Sequence, residues 1–142
     1  MKLFLIIVVL STSIFAKSYK QFASEFKYET NYKIALEKAK IEKKDIMFVM
    51  TANFCPWCSK FIKRVLSKKE INKNIHKKFI PLILNREEHK FPKKYNTPFI
   101  PVVYIVDYKT NEIKNKISNK EKPKNVIKTN EISINNNKEI LY

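Results

Sequence analysis

Cys55 and Cys58 are the only two cysteines in the chain, three positions apart. A pair that close encloses too small a loop to constrain the unfolded chain much, so a reactive dithiol is a better use of it than a structural staple. The pattern alone also fits half a zinc site, a haem attachment or an inert pair. Zinc asks for four ligands, and only His76 and His89 accompany the cysteines, at no ligand spacing from each other. A c-type haem needs His directly after the second Cys, and Ser59 stands there. His76 lies among lysines and His89 in a charged stretch, so both read as solvated side chains. No metal is expected.

A thiol becomes a nucleophile as the thiolate, and a free Cys is mostly protonated at neutral pH. The remedy is positional. Pro56 cannot sit inside a helix but suits its first turn, so a helix is expected to begin there. Cys55 then sits at a helix N-terminus, where unpaired N–H groups and the helix dipole favour negative charge and should lower its pKa. Cys58, one turn in, faces inward and can attack the mixed disulfide that Cys55 forms. Pro56 stiffens the turn. Trp57 is expected to flank the thiol as an exposed or half-exposed aromatic in reach of a substrate; inward packing is the alternative.

Several elements must hold this helix. Thr30 or Asn31 can cap a helix running to about Lys43, with Ile34, Ala35, Ala39 and Ile41 at roughly helical spacing. Asp45 opens the dense apolar run Ile46 to Met50, a strand buried on both faces. The redox helix continues through Phe61, Ile62, Val65 and Leu66, and Ser67 to Glu70 matches a capping box that would start a further helix ending near Lys78. Phe79 to Leu84 is a second apolar strand. Residues 85–96 are charged and irregular, with room for a helical turn around Phe91 to Tyr95. Pro101 to Val106 is a third strand, 107–111 a turn, and Glu112 to Ile117 an edge strand closing a hairpin. Residues 17–28 show no clear period. After Ser118 the apolar positions settle on none either, and that tail has no assignment. A helical crossover between apolar strands implies a parallel pair and a hairpin an antiparallel one, hence an α/β sheet of mixed direction. With no glycine in the chain, every turn at positive φ is expected to use Asn or Asp.

An apolar strand entering Cys55-Pro56-Trp57-Cys58, followed by Ile100-Pro101 opening a strand that ends at Asp107, resembles the thioredoxin-like superfamily over roughly residues 30–118. The resemblance implies a thioredoxin-like fold: a central mixed β-sheet flanked by helices. It implies that Pro101 is a cis-proline facing the dithiol, and that the Ile100 backbone pairs with an extended substrate segment. Thr97-Pro98 is the rival assignment. A narrower likeness lies in Ala35 to Lys40, Lys43 to Ile46, and Trp57 to Lys60 running on to Val65-Leu66, which are similar to exported bacterial thioredoxin-related proteins. It implies periplasmic thiol–disulfide exchange with protein thiols and disulfides, a redox partner protein, and no cofactor beyond the Cys55–Cys58 disulfide. One departure is Val49, six before Cys55, where ordinary thioredoxins carry a buried acid; the resolving step must use water or another base. Another is the short span between Cys58 and Pro101, without the large helical insertion of dedicated oxidases, which favours a reductase or exchange role. Two other readings stay open: a binding or chaperone module that keeps the fold without the chemistry, and a metal- or haem-handling protein.

The N-terminus sets the compartment. Lys2, the apolar run Leu3 to Leu10, and small residues before Ala16 have the anatomy of a signal peptide over 1–16. The run is too short to span a bilayer well, which takes ~20 residues; an uncleaved anchor is the alternative. About 126 residues would remain, one domain over 17–142, periplasmic and without stable membrane insertion after cleavage. The net charge of +16 invites a nucleic-acid partner, but the kind and placement of the cations argue against one. Only Arg64 and Arg86 are arginines, and the lysines are spread along the whole chain with no stripe among them. N-terminal sequencing of the exported protein should find Lys17, or a residue within a few positions of it, at the start; Met1 there would defeat the cleavage site.

Overall fold

The computed structural model describes residues 18–118; the expected signal peptide at 1–16 and the unassigned tail at 119–142 lie outside them. Alternation along a single strand builds the layers. In β1, Asp45–Thr51, Ile46, Phe48 and Met50 join one buried cluster and Met47 and Val49 the other, as a period of two requires. Strand β2, Phe79–Asn85, runs parallel to β1, and β3, Val102–Val106, runs antiparallel on its other side. Strand β4, Ile113–Ser118, closes the hairpin with β3, and the sheet order is β2-β1-β3-β4. This is the mixed sheet the connections imply. Glu29 exchanges backbone hydrogen bonds with Pro81 and Ile83 at 2.9 Å each, covering the outer edge of β2.

Helix α1, Tyr19–Phe26, starts where no period is visible in the sequence. Its signal is a capping box: Ser18 Oγ accepts the Gln21 N–H, and the Gln21 side chain accepts the Ser18 N–H, both at 3.3 Å. Helix α2, Tyr32–Glu42, is capped by Asn31, whose Oδ1 accepts from Lys33 and Ile34. It covers one face of the sheet with Tyr32, Ala35 and Ala39. Helix α1, the redox helix α3 at Pro56–Phe61, and α4 at Lys69–Lys78 lie on the other face, where Phe22, Ala23, Ile62, Leu66 and Ile75 meet Met47, Val49 and Ile83.

Two expectations need correction. The Ser67–Glu70 capping box does not form, and α4 begins after Lys68 with no side-chain cap. The redox helix widens into a π-helix over Ile62–Leu66, and the Ser67 N–H bonds back to the Ile62 carbonyl at 2.8 Å. Ser67 is therefore still helical (φ −77°, ψ −2°) and cannot adopt the extended backbone of an N-cap. Asn72 instead donates its side-chain N–H to the Leu66 and Lys68 carbonyls. Secondly, positive φ is not reserved for Asn and Asp. It occurs at Lys27, Lys43, Phe54 and Asn111. Lys27 and Lys43 close α1 and α2 as left-handed caps, their N–H groups bonded to Ala23 and Ala39; an unbranched stem and a cap hydrogen bond make the position tolerable without glycine.

Phe48 is fully buried and ringed by Tyr32, Phe91, Tyr95 and Tyr104, with centroids 5.1–6.5 Å away. Phe48→Ala should cost about 3–5 kcal/mol in urea unfolding, whereas Ile41→Ala, at a side chain 79% exposed, should stay within about 0.5 kcal/mol. Comparable costs for the two would contradict this core.

Candidate active site

Strand β1 ends at Thr51, whose buried hydroxyl donates to the Leu84 carbonyl at 3.2 Å. Asn53, in the turn that follows, is held from the end of β2. Asn85, 1% exposed, donates from Nδ2 to Asn53 Oδ1 at 2.7 Å, and its Oδ1 accepts the Glu87 N–H at 2.9 Å. The Glu87 carboxylate in turn accepts the Asn53 N–H at 2.9 Å. Phe54 then takes a left-handed backbone (φ 51°), uncommon for a bulky residue, and its ring is fully exposed. That turn delivers Cys55 to the start of α3.

Cys55 is the N-cap of α3, with Pro56 at the first helical position. Cys55 and Cys58 are joined by a disulfide with their Cα atoms 5.2 Å apart. The Cys58 N–H donates to Cys55 Sγ at 3.1 Å, so an unpaired helix N-terminal donor points at this sulfur. Cys55 is partly exposed and Cys58 is 4% exposed. Trp57 is 45% exposed with the Lys60 ammonium 4.5 Å from its ring centroid, which settles it on the surface. Val49 is fully buried among Met47, Ile62 and Ile83, and among the described residues no carboxylate is buried on the apolar face behind the redox helix.

The Ile100–Pro101 peptide is cis, and among the described residues it is the one cis bond. Val102 pairs with Met50, so Pro101 lies at the C-terminal end of β1, the end that leads to the dithiol. Pro98 sits in a separate cleft with Met50, Arg86, Glu87 and Phe91. His76 bonds through Nε2 to the Phe26 carbonyl at 2.8 Å, and His89 meets the Asn85 backbone. Among the described residues no three His, Cys, Asp or Glu side chains gather as a metal site.

One contributor has no signal in the sequence as a site element. Helix α1 brings Ser18 and Tyr19 into a cleft of about 450 Å³ lined also by Thr51, Cys55, Cys58 and Ile62. Tyr19 donates to Glu88 at 2.7 Å and Lys20 pairs with the same carboxylate at 2.7 Å. Burial, with the Glu88 charge beside it, pushes the Tyr19 phenol up. Lys20 first and Tyr19 second hold Glu88 below the ordinary carboxylate range. Glu87 is likewise held low, first by the Asn53 N–H and also by Arg86.

The family model described as a thioredoxin-like domain matches residues 32–129 of the chain. No curated protein matches it. Among solved structures it is similar to a thioredoxin from Thermus thermophilus, at 19% identity and a TM-score of 0.53, over 62% of this chain and 72% of that one. It is similar to a DsbH oxidoreductase at 18% identity and a TM-score of 0.54, over 64% of this chain and 71% of the other. A disulphide isomerase from Xylella fastidiosa Temecula1 aligns at 22% identity and a TM-score of 0.50, over 59% and 68% of the two chains. At these identities the likeness is one of fold.

A carboxylate whose native pKa is depressed stabilises the fold above its unfolded pKa, and that contribution fades as pH falls through the native value. With Glu87 held low by the Asn53 N–H, its share is complete above roughly pH 4.3 and lost progressively below it. The thermal midpoint of Glu87→Gln should therefore fall less steeply than that of the parent between about pH 4 and pH 2. Parallel profiles would show that the clamp on Asn53 needs no charge.

Proposed function

The chain belongs to the thioredoxin-like domain family, and on that premise we propose that it is a thiol–disulfide oxidoreductase acting on protein thiols and disulfides in the periplasm. The observation that carries the reading is the asymmetry of the pair: Cys55 partly open at a helix N-terminus with the Cys58 N–H on its sulfur, Cys58 buried one turn in. Lys2 with the apolar run at 3–10, and the likeness to exported relatives, support the compartment. The direction we favour is reduction or exchange, because a single short helix, α4, stands between the π segment and β2 where a dedicated oxidase would carry an insertion.

In the reductive direction the Cys55 thiolate attacks one sulfur of a client disulfide. The client S–S bond breaks, a Cys55–client bond forms, and the departing client thiolate takes a proton from solvent. Cys58, deprotonated by water in the absence of an acid at Val49, then attacks Cys55 Sγ. The 55–58 disulfide closes and the second client thiolate leaves. Two electrons have passed from dithiol to client, and a dithiol partner protein must return them before the next turnover. The disulfide is the sole redox group required. Trp57, exposed on the first turn of α3, and the backbone of Ile100, before cis-Pro101, are the contacts we assign to an extended client segment; Pro56 keeps the turn stiff.

Cys58→Ser should accumulate mixed disulfides with clients and lose insulin reduction, because the resolving attack is gone. Cys55→Ser should do neither trapping nor reduction. Trapping by Cys55→Ser alone would reverse the two roles, and undiminished insulin reduction in both variants would reject the activity.

A further inference from the structure

Although the lysines are spread along the whole chain, the stretch over the redox helix carries cations alone, which the exchange chemistry does not require. From Pro56 to Lys69 the chain carries Lys60, Lys63, Arg64, Lys68 and Lys69 and no carboxylate. All five cations are exposed. Among the described residues, several cations elsewhere stand in ion pairs: Lys38 with Glu29, Lys44 with Glu42, Lys94 with Glu112, Lys114 with Asp45 and Asp107. Glu87, which accepts the Asn53 N–H, and its neighbour Glu88 are taken by Arg86 and Lys20, while Lys60, Lys63 and Arg64 have no ion pair among the described residues. The Lys60 ammonium also rests over the exposed Trp57 ring, a cation–π contact beside the dithiol turn.

We propose that this face of the redox helix, with Phe54 and Trp57 at its start, selects client segments in which the reacting cysteine is flanked by carboxylates. The inference rests on the exchange activity and names its substrate class. Helical rise sets the register. Lys60 lies five residues beyond Cys55, roughly 7 Å along the axis, and Lys63 and Arg64 follow on the π turn. An extended client advances ~3.3 Å per residue, so the first favoured acid stands about two residues from the client cysteine and the next about one turn of the helix further on. The exposed Phe54 ring on the other side of Cys55 offers apolar contact to the residue beyond the disulfide. A field of this kind acts mainly on the encounter rate and is screened by salt.

The test uses the reduced wild-type protein and three disulfides: 2-hydroxyethyl disulfide, and two disulfide-bonded peptides identical except for Glu or Lys at the second and fourth positions from Cys. At ~10 mM salt the acidic peptide should be reduced about tenfold faster than the basic one, and at ~1 M salt the gap should fall below about twofold. In Lys63→Glu/Arg64→Glu the acidic-to-basic ratio should collapse or invert, with far-UV circular dichroism confirming the fold. Equal low-salt rates for both peptides, while the uncharged disulfide is reduced, would overturn the selectivity and leave the exchange activity standing. A wild-type protein that reduces none of the three would overturn the activity and the selectivity with it.

Discussion

Strand β1 is hydrogen-bonded on both edges and buried on both faces, and the rest of the molecule takes its position from that dehydrated strand. Its backbone groups must all be paired within the protein, which calls for β2 on one side and β3 on the other. Its side chains must be covered twice, which calls for α2 on one face and for α1, α3 and α4 on the other. The chain can leave this strand only at its end, so the residues after Thr51 emerge at one fixed place. A helix beginning there has its N-terminus at the rim of the sheet, beside the loop before β3. The reactive pair is therefore located by the burial of a strand that carries no chemistry.

What surrounds the pair is polar on one side and apolar on the other. The clamp of Asn85 and Glu87 on Asn53 fixes the approach to Cys55 with hydrogen bonds to both backbone and side chain. Behind Cys58 the packing is hydrocarbon, with Val49 where an acid would ease proton loss. The outer cysteine has a helix N–H on its sulfur, and the inner one is buried one turn in.

The parts legible in the sequence were those governed by short-range rules. The run Ile46 to Met50, the Asn31 cap, Pro56 after Cys55 and the hairpin around 107–111 each state their conformation within a few residues. Likeness to a known family supplied cis-Pro101, and the apolar strand that begins directly after it set it apart from Pro98. Failures arose where distant contacts decide. Tyr95 sits in a charged stretch, yet it is fully buried, bonded to Tyr32 at 3.0 Å and accepting from Tyr104 at its carbonyl. Ser67 obeys the capping pattern and is overruled by the π turn that precedes it. Asn85 reads as the polar end of a strand, and only the fold reveals that it faces Asn53. Helix α1 could have been found from Ser18 and Gln21, but its place at the active-site cleft could not.

The left-handed residues Lys27, Lys43 and Phe54 bear on a state of the protein other than the folded one. A side chain in that region costs roughly 1–2 kcal/mol in the native structure. A glycine there would avoid that cost but would widen the denatured ensemble, which opposes folding by about 0.4–1 kcal/mol. The difference at each position is of the order of 1 kcal/mol or less, smaller than the loss of one large core side chain. A chain with no glycine at all can therefore turn its corners with lysine and phenylalanine, because stiffness in the random coil offsets much of the strain in the folded loops.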